Sequence, residues 1–460
     1  MGHVLAFNFQ VTLSDTNQID ATTRDLVLAD INAALRYLGT FFTGRGTVDV
    51  VVTWVSQDAD TLASAGPNGF YSLTNSGPAS NVYTAITTYE LLTGRDPNGA
   101  DNDANVQINP ANLNEFWFDP TPDDRTDLPP FGKVDFLSTI LHELAHTFGF
   151  ISFRNFDGSF DDNARAPFDL FTTNGGGTYD SEAVREVAGG PVALDTTHGE
   201  GSRWNHLTDR TDLLYYAANA SSSRNYSLVD LAILHDAGMV SNTPGAGADI
   251  WFGSNGSDTI DGGAGNDQLF ALEGDDRITG GSGNDVIDGG TGYDTVIFAA
   301  TRASEVITGK ASTSFTVSGT AGTDTVRHVE VLQFSDKTLF ALTGTDATVA
   351  RLYGAAFARA PDAAGLGVQL GALHGGTTTT QLANNFIASA EFAARYGAAP
   401  SDVAYVTALY TNVLGRIPDQ GGFDVQVNAL SHGTTRAQLL INFGESPENQ
   451  AKVSADWLLT

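Results

Sequence analysis

The chain has 460 residues, 41% of them apolar, enough for a sizeable core and for about three domains at roughly one per ~150 residues. Its formal net charge of −31 excludes the basic surface that nucleic acid or an anionic membrane would require. What remains is a highly solvated surface or a set of carboxylates that await cations, and fifty glycines clustered with the acids favour the cations. There is no cysteine, so bound metal must do any stapling, and no apolar stretch approaches the ~20 residues of a membrane span.

The first ten residues, MGHVLAFNFQ, lack the basic start and long apolar segment of a signal peptide. Residues 23–38 have helical periodicity, 48–54 alternate as a strand, and 105–109 predict a second strand, a candidate edge for an extended peptide. Between the strands, residues 96–103 (DPNGADND) form an acidic loop, to be read either as a calcium site or as an ordinary polar turn. Residues 134–141 carry apolar side chains at helical spacing and run into His142-Glu143-Leu-Ala-His146-Thr-Phe-Gly149. On a helix, residues four apart share a face, so His142 and His146 can turn their imidazoles to one zinc ion. Glu143 is then placed as a general base toward water at that metal, and Gly149 stops the helix.

A catalytic zinc usually takes three protein ligands. Two histidines follow within the same block, His198 and His206, and Glu182 or Glu186 offers a carboxylate instead. His142-Glu143-x-x-His146-x-x-Gly149 resembles the start of the metzincin zinc-protease pattern, but Ser152 stands where its third histidine belongs. In leishmanolysin-like metzincins a distant third histidine precedes an Asp-Leu-Met turn. This chain is similar in order, with His206 followed by Asp212-Leu213-Leu214, Leu214 taking the methionine's place. That resemblance favours His206 as the third ligand. It also implies a role for Tyr216, two residues after Leu214, as oxyanion stabiliser or resting-state ligand.

Residues 253–297 divide without gaps into five nonapeptides, and a degenerate sixth occupies 244–252. Their sixth position is always aspartate (Asp249, Asp258, Asp267, Asp276, Asp285, Asp294) and their eighth is always apolar. This is the repeat of calcium-binding RTX proteins. Glycines permit a tight turn whose carbonyls face inward, the aspartate adds a charged oxygen, and the apolar residue enters a parallel β-roll. Because calcium wants six to eight oxygens, each site borrows from turns on the same side. The expected pairs are Asp249 with Asp267, Asp258 with Asp276, Asp267 with Asp285, and Asp276 with Asp294. Without calcium the segment should be disordered.

Residues 298–342 are β-rich, with strands at 314–318 and 329–334, and should cap the roll. A second repeat, of offset 57, occupies 349–449 and aligns Tyr353, Arg359, Asp362, Ser389 and Glu391 with Tyr410, Arg416, Asp419, Ser446 and Glu448. Each of its units reads as a helix, a Pro-Asp turn and two more helices. The pair resembles the phycobilisome-linker-like helical domains of secreted bacterial proteins, which implies an attachment module.

The fold class expected is multidomain α+β. It comprises a metzincin-like zinc protease domain (1–242), a parallel RTX roll (243–297), its β cap (298–344) and an all-α tandem-repeat domain (345–460). By resemblance the chain is a zinc- and calcium-dependent metalloendopeptidase acting on protein or peptide. The helical domain would reach a cell-surface or matrix partner, and neither nucleic acid nor a membrane span is expected. The terminal Asp456-Trp-Leu-Leu-Thr460 resembles the acid-then-apolar signal of type I export, which implies secretion. The rival expectation is an inactive calcium-binding surface-layer or matrix protein, with Ser152 and Leu214 as its support.

Overall fold

The computed structural model describes residues 7–14, 19–73, 81–125, 127–155, 157, 159–160, 164–197, 206–210, 212–215, 222–309, 314–456 and 458. They form two compact units: residues 1–255 with 267–273, and residues 256–266 with 274–460. Each is described separately.

In the first unit, β1 (Asn8–Leu13) precedes α1 (Ala21–Phe41), whose first turn is capped by the Asp20 carboxylate accepting from the Thr23 amide at 3.0 Å. Then come β2 (Thr47–Trp54), β3 (Ala63–Pro67), α2 (Ile86–Thr93) and β4 (Ala104–Ile108). The sheet order is β1-β2-β4-β3, parallel except for β3, which runs antiparallel to β4. Alternation in β2 buries Val48, Val50, Val52 and Trp54 on one face. The strand expected as the edge, at 105–109, is therefore interior, with partners on both sides. The edge on that side is β3, which periodicity missed because Ala63-Ser-Ala-Gly-Pro67 has no apolar alternation.

Under this sheet lies α3 (Phe136–Thr147), capped by Asp135, which accepts from the Ser138 amide at 3.2 Å. Phe136, Leu137, Ile140, Leu141 and Leu144 are at most 1% exposed and make its buried stripe. Each such side chain contributes about 1.5–3 kcal/mol by leaving water. Gly149, at φ +109°, then turns the chain where an added Cβ would sit 3.1 Å from the Ala237 Cβ. Two short helices, α4 (Glu182–Ala188) and α5 (Leu228–Asp236), pack together below. Strands Ile250–Phe252 and Gln268–Phe270 pair in parallel at the end of this unit.

In the second unit, parallel strands Thr259–Asp261, Arg277–Thr279, Thr295–Ile297 and Val331–Gln333 stack in one sheet, closed by antiparallel Thr338–Phe340. In the other, Val286–Asp288 pairs in parallel with Thr323–Arg327, followed by antiparallel Ser314–Ser318 and Val306–Thr308. The 298–342 segment is thus more than a cap, because two of its strands continue the parallel ladders of the nonapeptides.

The helices are α6 (Gly344–Phe357), α7 (Ala363–His374), α8 (Thr379–Ile387), α9 (Ala390–Tyr396), α10 (Asp402–Leu409), α11 (Gln420–Ser431), α12 (Arg436–Gly444) and α13 (Pro447–Asp456). Three helices, not two, follow each Pro-Asp turn. Their caps repeat at the 57-residue offset: Asp362 and Asp419, Thr378 and Thr435, Ser389 and Ser446 each accept from an amide three residues on. Each cap satisfies a first-turn amide that the helix itself leaves unpaired, so the repeat keeps its helix starts where its surface varies. Leu382 and Phe386 of one unit share a core with Leu439 and Phe443 of the other, and Val331 and Phe340 of the roll join it.

Candidate metal centre

The i, i+4 spacing on α3 brings His142 and His146 to one face, and the chain returns His206 to the same point. The three Nε2 atoms form a triangle with sides of 3.0, 3.2 and 3.3 Å. Tetrahedral zinc with bonds near ~2.05 Å would space its nitrogens about 3.3 Å apart.

Backbone carbonyls settle the tautomers of the first two. His142 Nδ1 lies 2.8 Å from the Leu213 carbonyl and His146 Nδ1 lies 2.7 Å from the Phe150 carbonyl. A carbonyl only accepts, so both Nδ1 atoms carry the proton and both Nε2 lone pairs face inward. Two lone pairs facing each other at 3.3 Å repel unless a cation lies between them, and a proton on His206 could satisfy only one. The donor set therefore fits a metal. Burial is the main reason that the His142 pKa falls to about 3 and that His146 is also lowered, which keeps both imidazoles neutral and able to ligate.

Glu143 follows His142 on α3. Its Oε2 accepts from the Ala65 amide of β3 at 2.9 Å, and burial raises its carboxyl to about 8 against the lowering effect of that bond. His146 and His206 are buried, while His142 and Glu143 are half-buried.

Below the histidines, the Asp230 carboxylate accepts from the amides of Leu213, Leu214 and Ser227 at 3.1, 3.3 and 2.8 Å. It thereby fixes the Leu213 carbonyl that orients His142. Leu214 is fully buried, and its carbonyl accepts from Leu207, next to His206, at 2.9 Å. Tyr226 donates to the Leu141 carbonyl at 2.7 Å and ties this floor to α3. Asp230 was missed in the sequence, although Ser227-Leu-Val-Asp230 has the spacing of a capping box and forms one on α5.

The other proposed ligands fall elsewhere. Ser152 donates to Asp169 at 2.6 Å, away from the histidines. Glu182 and Glu186 sit on α4 and, among the described residues, do not join the three histidines. His198 and Tyr216 lie outside the described residues.

In the roll, Asp267, Asp276 and Asp294 each use one oxygen to accept the amide of the sixth-position aspartate one turn earlier. Asp267 accepts from Asp249 at 2.9 Å, Asp276 from Asp258 at 2.7 Å, and Asp294 from Asp276 at 2.8 Å. The second oxygens of Asp276 and Asp294 are buried without a hydrogen-bond partner among the described residues. Those are the oxygens a calcium ion would take. The ladder goes beyond the nonapeptides: Asp324 accepts from Asp285 at 3.1 Å and Glu330 from Asp294 at 2.8 Å. The sequence held a signal for Asp324, since Gly322-Thr-Asp-Thr-Val326 repeats the form of Gly292-Tyr-Asp-Thr-Val296 after an insertion. The glycines show why that form persists. A Cβ on Gly322 would lie 1.6 Å from the Gly283 carbonyl oxygen, and one on Gly292 would lie 1.8 Å from that of Gly274.

Comparison with known proteins agrees with part of this description. The RTX calcium-binding nonapeptide repeat matches residues 243–276 and 261–296. The chain therefore carries RTX calcium-binding repeats. A domain of unknown function, DUF4214, matches residues 383–453 within the helical repeat. Among solved structures, the extracellular lipase LipA from Serratia marcescens is 24% identical over 19% of this chain and 14% of its own, with a TM-score of 0.18. No curated protein matches the chain. Among the described residues, no helix is long and apolar enough to cross a membrane.

Proposed function

We propose that residues 1–242 are a metzincin-like zinc metalloendopeptidase domain, secreted together with its calcium-dependent roll, and that the helical repeat is an attachment module. The observation that carries this reading is the convergence of three Nε2 atoms, with Glu143 next to His142 on the helix and hydrogen-bonded to the edge strand β3. When bound, zinc supplies a Lewis acid that acidifies water towards a pKa of ~7 and polarises a carbonyl. His142, His146 and His206 hold it. Glu143 takes a proton from the attacking water and passes it to the leaving amine, and the raised pKa of its carboxyl suits a group that both receives and returns a proton. The edge strand β3 can take an extended peptide by strand addition, with Ala65 fixing the height of Glu143 against it. Tyr216 is assigned the oxyanion by resemblance alone.

A second reading, an inactive calcium-binding surface or matrix protein, has Ser152 and Leu214 in its favour, since both depart from the metzincin pattern. Hydrolysis of casein or an unstructured peptide by the full chain, with zinc and calcium supplied, separates the two. The enzyme reading expects cleavage that falls by about 10²–10⁴-fold in Glu143→Ala with zinc content unchanged. Equal rates in the wild type and in Glu143→Ala would reject it.

A further inference from the structure

A second cluster in the first unit lies away from the histidines. Glu90 of α2, Asp96 of the following loop and Asp103 at the entry to β4 each bring a carboxylate oxygen within 4.8 Å of the others. Asp96 is exposed, but Glu90 is 5% and Asp103 2% exposed. Each buried carboxylate uses one oxygen on the backbone of β2: Glu90 Oε1 accepts from the Thr47 amide at 3.0 Å and Asp103 Oδ2 from the Asp49 amide at 2.7 Å. Their remaining oxygens, Glu90 Oε2 and Asp103 Oδ1, are buried and have no hydrogen-bond partner among the described residues, and the same holds for Asn98 Oδ1 in the loop between them. The Asn98 amide group is already spent as a donor, to the carbonyls of Asp101 and Asn102 at 2.8 and 3.0 Å, which leaves its oxygen as an acceptor only.

Carboxylate oxygens of Glu90, Asp96 and Asp103 therefore converge, and among the described residues no donor answers the second oxygens of Glu90 and Asp103. An unanswered buried acceptor costs roughly 1–3 kcal/mol, and more when charged. The fold makes room for this arrangement: at Gly46 an added Cβ would lie 2.3 Å from Glu90 Cγ, so the glutamate stem can press against the β2 backbone. Only a proton or a cation can reconcile the carboxylates. Burial first, then the charges of Asp103 and Asp96, raise Glu90 to about 7, and burial also raises Asp103, so a lone proton is the competing solution.

We propose that Glu90, Asp96 and Asp103, with the Asn98 side-chain oxygen, bind a calcium ion that fastens the 94–103 loop and α2 to the start of β2 and β4. Hard carboxylate and amide oxygens on a flexible loop are a calcium donor set, with water completing the shell. The site is independent of the roll and of the histidine centre. Asp103 also accepts the Asn68 amide through its carbonyl at 2.7 Å, so ordering Asp103 orders the end of β3, whose Ala65 meets Glu143.

The test is calcium per chain, measured by mass spectrometry on the full chain at a fixed free calcium level, for the wild type, Asp96→Asn and Asp103→Asn. Hydrogen exchange at the Thr47 and Asp49 amides is read in parallel. The expected result is one calcium fewer in each variant, faster exchange at both amides, and unchanged zinc content. If Asp103→Asn fails to fold, the exposed Asp96→Asn decides alone. A calcium count and exchange pattern equal to wild type in Asp96→Asn would overturn the proposal and leave a shared proton as the solution.

Discussion

The three histidines proposed to hold zinc and the aspartate ladders of the calcium-binding repeats both gather side chains able to hold a cation, yet they do so with opposite electrostatics. At the centre the ligands are neutral, and backbone carbonyls hold two of the rings by their far nitrogens. Burial then costs little charge, and α3, the Leu213–Leu214 floor and Asp230 can assemble the site around the space of the metal. In the ladders the ligands are carboxylates stacked every 18 residues; Asp267, Asp276 and Asp294 each hold one amide of the turn before, and the second oxygens of Asp276 and Asp294 are buried. Neutral ligands permit a preformed site; stacked anions need the ion in order to stay stacked.

That contrast is broken most strongly by removing calcium. In excess chelator the roll should lose its β signal in far-UV circular dichroism and its amide protection over residues 274–297. Residues 134–150 of the first unit should keep theirs. Loss of protection in both segments together would mean that the histidine centre depends on calcium as well.

Proton uptake should partly replace the ion. Burial is the first cause in raising Asp276 and Asp324 to about 6, Glu330 to about 7 and Asp294 to about 9. These folded values lie above the ordinary ~4 of the unfolded chain, so the folded state holds protons that the unfolded state has released. Calcium-free stability is therefore greatest below about pH 4 on this account and falls as pH rises through the 6–9 range. The far-UV β signal of the calcium-free protein at pH 5 and pH 8 checks this: it should be stronger at pH 5, and the difference should shrink when calcium is restored. A calcium-free β signal that rises with pH would contradict it.

A smaller effect is expected at Asp230, which touches no metal. Asp230→Asn keeps the volume but leaves one acceptor oxygen for three amides, so Leu213 loosens and His142 with it. Zinc affinity, measured by competition with a chelator, should fall by about tenfold, the lower end for groups that orient a ligand. The smallest effect belongs to the helical repeat. Arg416 pairs with Glu448 at 2.9 Å, as Arg359 does with Glu391, but all four side chains are more than 40% exposed. Arg416→Ala should leave the chemical denaturation midpoint almost unchanged.

What could be read from the residues follows the same divide. The nonapeptides and the 57-residue repeat are local and periodic, and so are α3 and its two histidines. Asp249, Asp258, Asp267, Asp276, Asp285 and Asp294 could be picked out before any fold was known. Features that need the chain to return from a distance were harder to find. Nothing local marks β3 as the sheet edge or Ala65 as the partner of Glu143, because a backbone amide has no letter of its own. Asp324 and Glu330 escaped because an insertion breaks the period at which they would have been sought. His206 was reachable only through the order of residues after it, and its place beside His142 depends on a floor built by Asp230.

Metal content by mass spectrometry on calcium-replete full-length protein, wild type beside His206→Ala, tests the central claim most directly. The account predicts about one zinc per wild-type chain and its loss in the variant, with calcium content equal in both. No zinc in the wild type even after it is added back, or equal zinc in the two proteins, would contradict the three-histidine centre.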